Sequence, residues 1–408
     1  MALIRPFRAL RPAPEVASRV ASVPYDVVNT DEARALAASN PLSFLHVTRS
    51  EIDLPPGTDP YASELYAQAV RNLEELKRAA PLVLEVEPAL YFYRLRMGSH
   101  EQTGLAAAYS VDEYDRDLIK KHERTRRDKE DDRTRHITET RAQTGVVFLT
   151  YPASAEVGAV AARVCAGAPL YDLAADDDVR HTIWKVTGAD LEGLVDAFGK
   201  MPALYIADGH HRAASAARAR QQVPGADTFL AVAFPDDQVQ ILPYNRVVKD
   251  LGGQTPGRFL EQLRSRLPVR DGVPAPPRKG LVSMYLDGRW HELELGSVRL
   301  NAEATDSAEA TNDRAASLDV TLLQQQVIEP LLGIADVRID KRIDFVGGAR
   351  GTKALEALID SGKAAVAFSL YPVEVGDLLA IADAGGIMPP KSTWFEPKLR
   401  DGLLVHLI

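Results

Sequence analysis

The chain divides into segments whose hydrophobic and polar positions follow either the period of a strand or that of a helix. In residues 87–110, apolar and polar side chains alternate on both sides of a Gly-Ser-His turn, which predicts a β-hairpin. Residues 60–80 place apolar side chains three and four positions apart, which predicts an amphipathic helix. Apolar runs of strand length, such as Val146–Tyr151 and Phe229–Phe234, also occur between helical stretches. The pattern therefore predicts an α+β fold, that is, a mixed α/β chain.

A change of composition near Leu251–Pro256, followed by a proline-rich linker, predicts a domain boundary. We expect residues 1–250 to form a core domain, with the charged segment 112–135 inserted into it. Residues 251–408 are expected to form a second, α+β domain. That domain carries a glycine-rich loop, IDFVGGARG, and the loop MPPKSTWFEPK before a last strand.

The composition, with 46% hydrophobic and 26% charged residues, is that of a globular protein with a substantial core. The net charge of -9 argues against general binding to nucleic acid, whose affinity comes mainly from Lys and Arg. One cysteine allows no internal disulfide, which fits a reducing cytoplasm. The first residues do not resemble a signal peptide, and the longest apolar runs are too short to span a membrane. We therefore expect a cytoplasmic protein without membrane or nucleic-acid partners.

The chemically richest stretch reads Asp-Gly-His-His-Arg, at the point where a short apolar strand gives way to a helix rich in Ala and Arg. Gly209 at the turn lets the backbone approach a ligand closely. The first amides of the helix lack internal partners and lie at its positive end, which suits an anion. His210, His211 and Arg212 add donors that match phosphate, so we expect the active site here. The alternative is that Asp208 simply caps the helix.

Segment 112–135 is the most highly charged part of the chain, with acidic and basic residues in balance. One interpretation is a solvated helix whose i,i+4 pairs contribute only tenths of a kcal/mol each. The other is a lid or loop that supplies charges to a phosphorylated ligand through His122, Glu123, Lys129 and Arg133. A buried-looking strand follows shortly, which argues against a disordered tail.

Two further stretches carry candidate site residues. Asp26 ends an X-Pro turn, where it is either a turn side chain or a general base or metal ligand. The loop MPPKSTWFEPK holds Lys391, Ser392, Thr393 and Lys398 on a backbone stiffened by prolines. Cations and hydroxyls on a rigid loop are typical of a phosphate or carboxylate site. The alternative for this loop is a packed C-terminal turn.

Several familiar site motifs are absent from the sequence. The glycine-rich loop has neither the Walker A spacing nor that of the dinucleotide fingerprint. There is no His-Glu-x-x-His and no paired-cysteine motif for zinc. The Asp-x-Asp-x-Thr motif of haloacid-dehalogenase phosphatases and the Arg-His-Gly motif are also missing. A phosphatase built on this chain would therefore be an unorthodox one.

The strand, the motif Gly209-His210-His211-Arg212 and the Ala-rich helix together resemble the signature of the ParB/sulfiredoxin-like superfamily. In that superfamily a nucleotide's phosphates lie at the helix start, so the resemblance implies that residues 1–250 form a ParB-like core that binds a phosphate or a nucleotide. The Glu of chromosome-partitioning ParB proteins and the Cys of sulfiredoxins are both replaced here, which speaks against a CTP switch and against peroxiredoxin repair. Variants with Asp-Gly-His are similar to the free serine kinases of the superfamily. Over its whole length, from RPFRALRP to MPPKSTWFEPK, the chain also resembles a bacterial and archaeal family of unknown function that is placed with ParB-like proteins and has been linked to serine metabolism.

The resemblance implies phosphoryl transfer to a small hydroxylated metabolite, with a nucleotide-dependent free L-serine kinase as the leading expectation. The helix start, with His211 and Arg212, would bind the transferred phosphate. Asp208 would orient a histidine or hold Mg²⁺, and Asp26 or Glu123 would accept the hydroxyl proton. A histidine in such a site titrates near neutral pH and would make the activity sensitive to pH.

Lys391 and Lys129 would neutralise charge, and Mg²⁺ would arrive with the phosphates of ATP, ADP or CTP. Two alternatives stay open: hydrolysis of phosphoserine by the same residues, and a regulatory protein that binds nucleotide without turnover. ParB-type DNA binding would need a basic helix-turn-helix module, which the sequence does not indicate. The expected partners are therefore serine or phosphoserine and a nucleotide. The oligomeric state stays open, with a homodimer as one expectation.

Overall fold

The β-hairpin predicted from the alternating pattern lies in the middle of the largest sheet. The computed structural model describes residues 3–296 and 314–408 and is a mixed α/β structure with 36% helix and 26% strand, as the sequence predicts. Among these residues no helix has the length and the apolar surface needed to cross a membrane.

The chain forms two compact units. The first unit contains residues 3–239 together with Pro397–Ile408, and the second unit contains Gln240–Glu396. The sequence-based division at residue 250 differs from this one in two places. Residues 240–250 belong to the second unit, and the last twelve residues belong to the first. The C-terminal return depends on strand pairing far along the chain, which local patterns do not reveal.

The first unit is built on a nine-stranded mixed sheet in the order β6-β11-β8-β12-β5-β4-β10-β9, with β1 added on β5. Its strands are β1 (Ile4–Arg5), β4 (Leu90–Met97), β5 (His100–Ser110), β6 (Ile119–Lys120), β8 (Val147–Tyr151), β9 (Tyr171–Ala174), β10 (Val179–Val186), β11 (Leu204–Asp208) and β12 (Thr228–Pro235). The pairs β12–β8 and β11–β6 are parallel, and the other pairs are antiparallel. Because its central strands are almost wholly buried, the sheet has apolar runs rather than strict alternation.

A second, four-stranded sheet in the order β3-β2-β21-β7 brings the C-terminus back to the first unit. Its strands are β2 (Ala9–Arg11), β3 (Val83–Leu84), β7 (Ala142–Gln143) and β21 (Val405–Leu407). Strand β21 pairs with both β2 and β7, so the last residues are held by backbone hydrogen bonds on two sides. This pairing fixes the segment just before it, which contributes to the candidate site described below.

The helices of the first unit cover the sheets. They are α1 (Ala17–Val20), α2 (Thr30–Ala37), α3 (Leu45–Thr48), α4 (Ser63–Ala79), α5 (Val111–Asp115), α6 (Arg127–Thr140), α7 (Ala155–Val164), α8 (Gly188–Gly199) and α9 (His210–Ala219). Helix α4 confirms the amphipathic helix predicted for residues 60–80. The main core lies between the large sheet and helices such as α8, where Phe198 packs edge-on against Tyr109.

The second unit has a six-stranded sheet in the order β15-β17-β16-β19-β14-β18 and a separate pair, β13 with β20. The strands are β13 (Gln240–Leu242), β14 (Tyr244–Val248), β15 (Val269–Asp271), β16 (Leu281–Leu286), β17 (Arg289–Glu294), β18 (Ile343–Gly347), β19 (Val366–Leu370) and β20 (Trp394–Glu396). The helices are α10 (Pro256–Arg264), α11 (Asp319–Leu323), a π-helical turn (Gln324–Ile328), α12 (Glu329–Leu332), α13 (Gly351–Asp360) and α14 (Val375–Asp383). A small core of Val247, Leu355 and Ala367 lies between this sheet and α13.

Candidate functional site

The junction between β11 and α9 has the local structure that the sequence predicts. Strand β11 ends at Asp208, and Gly209 precedes the helix with φ of 94°, a conformation that glycine adopts without strain. No side chain caps the helix, so the alternative in which Asp208 is a simple cap is wrong. The first N–H groups of α9 have no acceptors within the helix and lie at its positive end.

The carboxylate of Asp208 is instead paired with Lys398. The Lys398 Nζ donates to Asp208 Oδ2 over 2.9 Å, and the two side chains are 14% and 31% exposed. Burial alone would raise the pKa of Asp208, but the charges of Lys398 and Arg212 outweigh it and hold this pKa far below its usual value. Asp208 is therefore an ionised group that is already committed to a cation.

Arg212 points back from the first turn of α9 into the protein. Its Nη2 donates to Asp26 Oδ1 over 2.5 Å, and its Nη1 donates to the backbone oxygen of Val146 over 2.6 Å. The Arg212 side chain is only 6% exposed, whereas that of Asp26 is 38% exposed. Burial opposes the charge on Arg212, but Asp26 and Asp208 more than offset it and raise the pKa of the guanidinium. Arg212 thus fixes a carboxylate that solvent can reach.

His210 and His122 form a buried imidazole pair beside this ion pair. Their rings meet edge to face with centroids 4.4 Å apart, and the His122 backbone N–H donates to His210 Nε2 over 3.4 Å. Burial lowers the pKa of His122 to about 4 and the pKa of His210 well below its usual value. Both rings are neutral near pH 7. Because Nε2 of His210 accepts a hydrogen bond, its proton is assigned to Nδ1, which lies 3.7 Å from Glu123 Oε2.

His211, the next residue of α9, is half-buried and is also held by the charged segment. Its Nε2 accepts a hydrogen bond from the Arg126 backbone N–H over 2.9 Å, and burial lowers its pKa. The residues from His122 to Arg126 therefore lie against the first turn of α9. The charged segment continues as helix α6, so it combines a loop at the site with a helix and is not wholly one or the other.

The other two candidates of this segment lie on helix α6. Lys129 is exposed on the first turn of α6, where its charge acts on Asp128. Arg133 pairs with Asp132 over 2.8 Å and places its guanidinium 4.5 Å from the centre of the Tyr25 ring. Arg133 therefore contributes to the same part of the first unit as Asp26, through Tyr25.

Lys391, Ser392 and Thr393 belong to the second unit. Lys391 has φ of 58°, and its Nζ lies 5.5 Å from the centre of the Tyr244 ring. Ser392 is buried, and its Oγ donates to the backbone oxygen of Pro389 over 2.5 Å. Thr393 is partly exposed. Of these three residues of the turn, only Lys391 has a fully exposed side chain.

Sequence reasoning missed two roles in the C-terminal segment. The sequence identifies Lys398 only as a cation of the loop MPPKSTWFEPK, and nothing in the sequence pairs it with Asp208. Asp401 carried no signal, and yet it is 1% exposed and accepts the Val146 N–H through Oδ1 over 3.2 Å. No described residue makes a hydrogen bond to its Oδ2. Burial raises the pKa of Asp401 to about 7, although Arg212 acts to lower it.

The site therefore combines two ion pairs, two half-exposed carboxylates and neutral imidazoles at one helix start. Among the described residues, no three His, Cys, Asp or Glu side chains are arranged to hold a metal ion. Such an arrangement can bind an anion through backbone amides and a lysine, and it can accept a proton at Asp26 or Glu123.

Residues 4–321 match the family described as "Protein of unknown function (DUF1015)". The chain belongs to the DUF1015 family. The match extends across the whole β11–α9 junction and the charged segment. It confirms the expected relationship to a family of unknown function, whereas the resemblance to ParB and sulfiredoxin stays a prediction. None of the curated proteins matches this DUF1015 chain.

Several solved structures are distantly similar to this DUF1015 protein. SbnI with C-terminal truncation from Staphylococcus aureus has 13% identity and a TM-score of 0.38, covering 74% of this chain and 87% of its own. A free serine kinase in complex with AMP has 15% identity and a TM-score of 0.37, covering 74% and 92%. A conserved hypothetical protein from Pyrococcus furiosus has 15% identity and a TM-score of 0.34, covering 74% and 95%. These similarities are too low to bear on the chemistry of the site.

Proposed function

We propose that the start of α9 is a phosphoryl-transfer site that acts on a small hydroxylated metabolite, with L-serine and a nucleotide as the first substrates to test. The observation that carries the proposal is the half-exposed Asp26 carboxylate, held by buried Arg212 beside a helix start that suits an anion. Phosphoryl transfer depends mainly on positioning and on charge stabilisation, with little covalent chemistry. A rigid cluster of opposite charges at a helix N-terminus meets that requirement.

The anion would lie against the first amides of α9, close to Lys398. Arg212 was expected to bind phosphate directly, but Val146 and Asp26 already occupy two of its nitrogens. We therefore assign Arg212 the positioning of Asp26. Lys398, which pairs with Asp208 over 2.9 Å, is a partly buried cation at the end of the strand that leads into α9.

Asp26 is the group we assign to accept the hydroxyl proton of the substrate. One of its oxygens is bound by Arg212, and the side chain is exposed enough to meet a ligand. Glu123 is similarly exposed, at 44%, but it faces the Nδ1 proton of His210 over 3.7 Å. Glu123 therefore serves better to orient His210, whose neutral ring can donate a hydrogen bond without adding charge.

Asp208 does not fit the role of a Mg²⁺ ligand. Its carboxylate is paired with Lys398, and Arg212 acts on it as well, so a divalent cation would have to displace a lysine against the repulsion of two positive groups. Mg²⁺ in this proposal belongs to the nucleotide substrate, because Mg²⁺ is commonly held by phosphates and waters with few protein ligands.

The test is a product assay with the full chain. L-serine is incubated with ATP, ADP or CTP and MgCl₂, and phosphoserine alone is incubated in parallel, with both followed by ³¹P NMR. Phosphoserine formed from serine supports the kinase. Phosphate released from phosphoserine alone supports the phosphatase instead. Nucleotide binding without any product favours a regulatory protein, and the absence of both binding and turnover refutes the assignment of this site.

A substitution locates the chemistry within the site. Asp26→Asn should lower kcat by about 100-fold or more, the usual contribution of a positioned acid–base group, while leaving nucleotide affinity nearly unchanged. Asp227→Asn is the matched control, because Asp227 is 41% exposed and pairs with Arg5 over 2.6 Å in the same unit. Equal rates in the two variants would move the proton acceptor away from Asp26.

A further inference from the structure

The second unit contains a buried arginine, Arg246, for which the described residues supply no carboxylate partner. Arg246, on β14, is 2% exposed, and no carboxylate of a described residue lies against it. Its guanidinium donates to the backbone oxygen of Tyr244 and, over 2.9 Å, to that of Lys391. The Phe345 ring lies 5.3 Å from its central carbon. The described groups that contact the Arg246 guanidinium are therefore backbone dipoles and an aromatic face.

Burying a guanidinium in such surroundings costs free energy unless an anion is bound to it. Burying an unpaired guanidinium removes its hydration, and backbone carbonyls return only part of the lost stabilisation. Burial accordingly lowers the pKa of Arg246; Tyr244 acts to raise it but does not offset the burial. Other buried arginines of this protein, such as Arg212, face a carboxylate. Among the residues that the structure describes, no carboxylate compensates the positive potential around Arg246.

The backbone of the loop that Arg246 contacts can transmit this positive potential to a hydrogen-bond donor of the loop. The backbone oxygen of Lys391 points at Arg246, and the Ser392 N–H of the same planar peptide unit must point the opposite way. Donation from the guanidinium polarises that peptide and strengthens the N–H as a donor. Lys391 has φ of 58°, a conformation found in the backbone concavities that bind phosphate.

The Lys391 side chain adds a second positive charge at the surface of the loop. It is exposed, with its Nζ over the Tyr244 ring at 5.5 Å. Ser392 keeps the turn in shape because its buried Oγ donates to the Pro389 backbone oxygen. The nearby cation Lys279 is neutralised by Asp377 over 2.7 Å, so it adds little to the field.

We propose that the loop Pro389–Thr393, backed by Arg246, is a binding site for a phosphate group of a small phosphorylated ligand. The Ser392 N–H and the Lys391 ammonium would contact the phosphate, and Arg246 is a positioning residue that acts through the Lys391–Ser392 peptide. The site lies in the second unit and requires no turnover. It therefore goes beyond the proposed function and stands or falls independently of it.

Trp394 provides a local reporter for this site. It packs on Tyr244 with ring centroids 5.0 Å apart, directly after the loop. The chain has three tryptophans, so Trp184→Phe and Trp290→Phe leave Trp394 as the sole source of tryptophan fluorescence. Inorganic phosphate and pyrophosphate are titrated into this full-length protein, with sodium acetate and sodium chloride at the same ionic strength in parallel. We expect a saturable change with the phosphates alone.

Variants then assign the binding to the loop. Arg246→Met should weaken phosphate binding tenfold or more, and Arg246→Lys should restore part of it. Arg342→Met is the matched control, since Arg342 also donates to backbone oxygens in this unit, those of Leu332 and Gly333, but is paired with Asp340. It should leave the titration unchanged.

Lys391→Gly gives an independent measurement if Arg246→Met does not fold. Glycine adopts φ of 58° more readily than lysine, so the loop keeps its shape while it loses a charge, and binding should weaken severalfold. A Trp394 response that is absent, that is equal for acetate and phosphate, or that survives in both Arg246→Met and Lys391→Gly overturns the proposal.

Discussion

Asp401 allows a quantitative test of the electrostatics around α9. Its carboxyl group is buried, accepts the backbone N–H groups of Val146 and Tyr25, and has one oxygen without a hydrogen bond from a described residue. Arg212, whose charge acts to lower the pKa of Asp401, is already paired with Asp26. The negative charge of an ionised Asp401 is therefore only partly compensated, and burial raises the pKa of Asp401 from 3.8 to about 7.

The magnitude and the sign follow from proton linkage. Below about pH 4 the carboxyl group is protonated in the folded and the unfolded protein. Between pH 4 and 7 the unfolded chain releases its proton and the folded protein keeps it, so the free energy of unfolding falls as the pH rises. The pKa difference, converted at 1.36 kcal/mol per unit, makes this loss about 4 kcal/mol by pH 8.

Asp401→Asn removes the titration but keeps the shape of the side chain. The variant should therefore become more stable relative to the wild type as the pH rises, by about 4 kcal/mol between pH 4 and pH 8. Urea unfolding of both proteins, followed by circular dichroism at several pH values, measures this difference. Asp227→Asn controls for the loss of one acidic group from the first unit. A difference that stays constant with pH, or that falls, would refute the reasoning.

Two further substitutions test the start of α9. Gly209→Ala should destabilise the protein by about 1–2 kcal/mol, because φ at this position is 94°. Gly158→Ala, inside helix α7 with open space around it, should instead stabilise the protein by up to about 1 kcal/mol. Urea unfolding measures both variants, and equal effects on stability would contradict the explanation from backbone conformation. Lys398→Met should cost about 1–3 kcal/mol at pH 7, because it leaves the carboxylate of Asp208 partly buried without its cation. Since Lys398 and Arg212 lower the pKa of Asp208, that cost should shrink as the pH falls below about 4, and a loss independent of pH would indicate packing alone.

Local patterns predicted most of the elements that hold the site. The Asp-Gly turn between an apolar run and an Ala-rich run correctly placed the end of β11 and the start of α9. Alternation correctly predicted the hairpin of β4 and β5. These features depend on residues close together in sequence, where periodicity and glycine chemistry decide the conformation.

The partners of the site could not be predicted in the same way. Asp26 and Arg212 are 186 positions apart, and Asp208 and Lys398 are 190 apart. Each carboxylate could have paired with many other cations in a chain with 48 Lys and Arg residues. The choice depends on strand pairing, which brings β21 beside β2 and β7 and carries Lys398 to the edge of β11. Only the folded chain determines this geometry.

The position of the C-terminal segment explains why the two ion pairs act as one unit. Lys398 neutralises Asp208, while three residues later the buried Asp401 competes with Asp26 for Arg212. With Asp401 protonated, two cations balance two carboxylates at the start of α9. With Asp401 ionised, the same cluster carries one excess negative charge and repels an incoming anion. A phosphate bound at α9 should therefore favour the protonated form of Asp401, so that anion binding and proton uptake are coupled through Arg212.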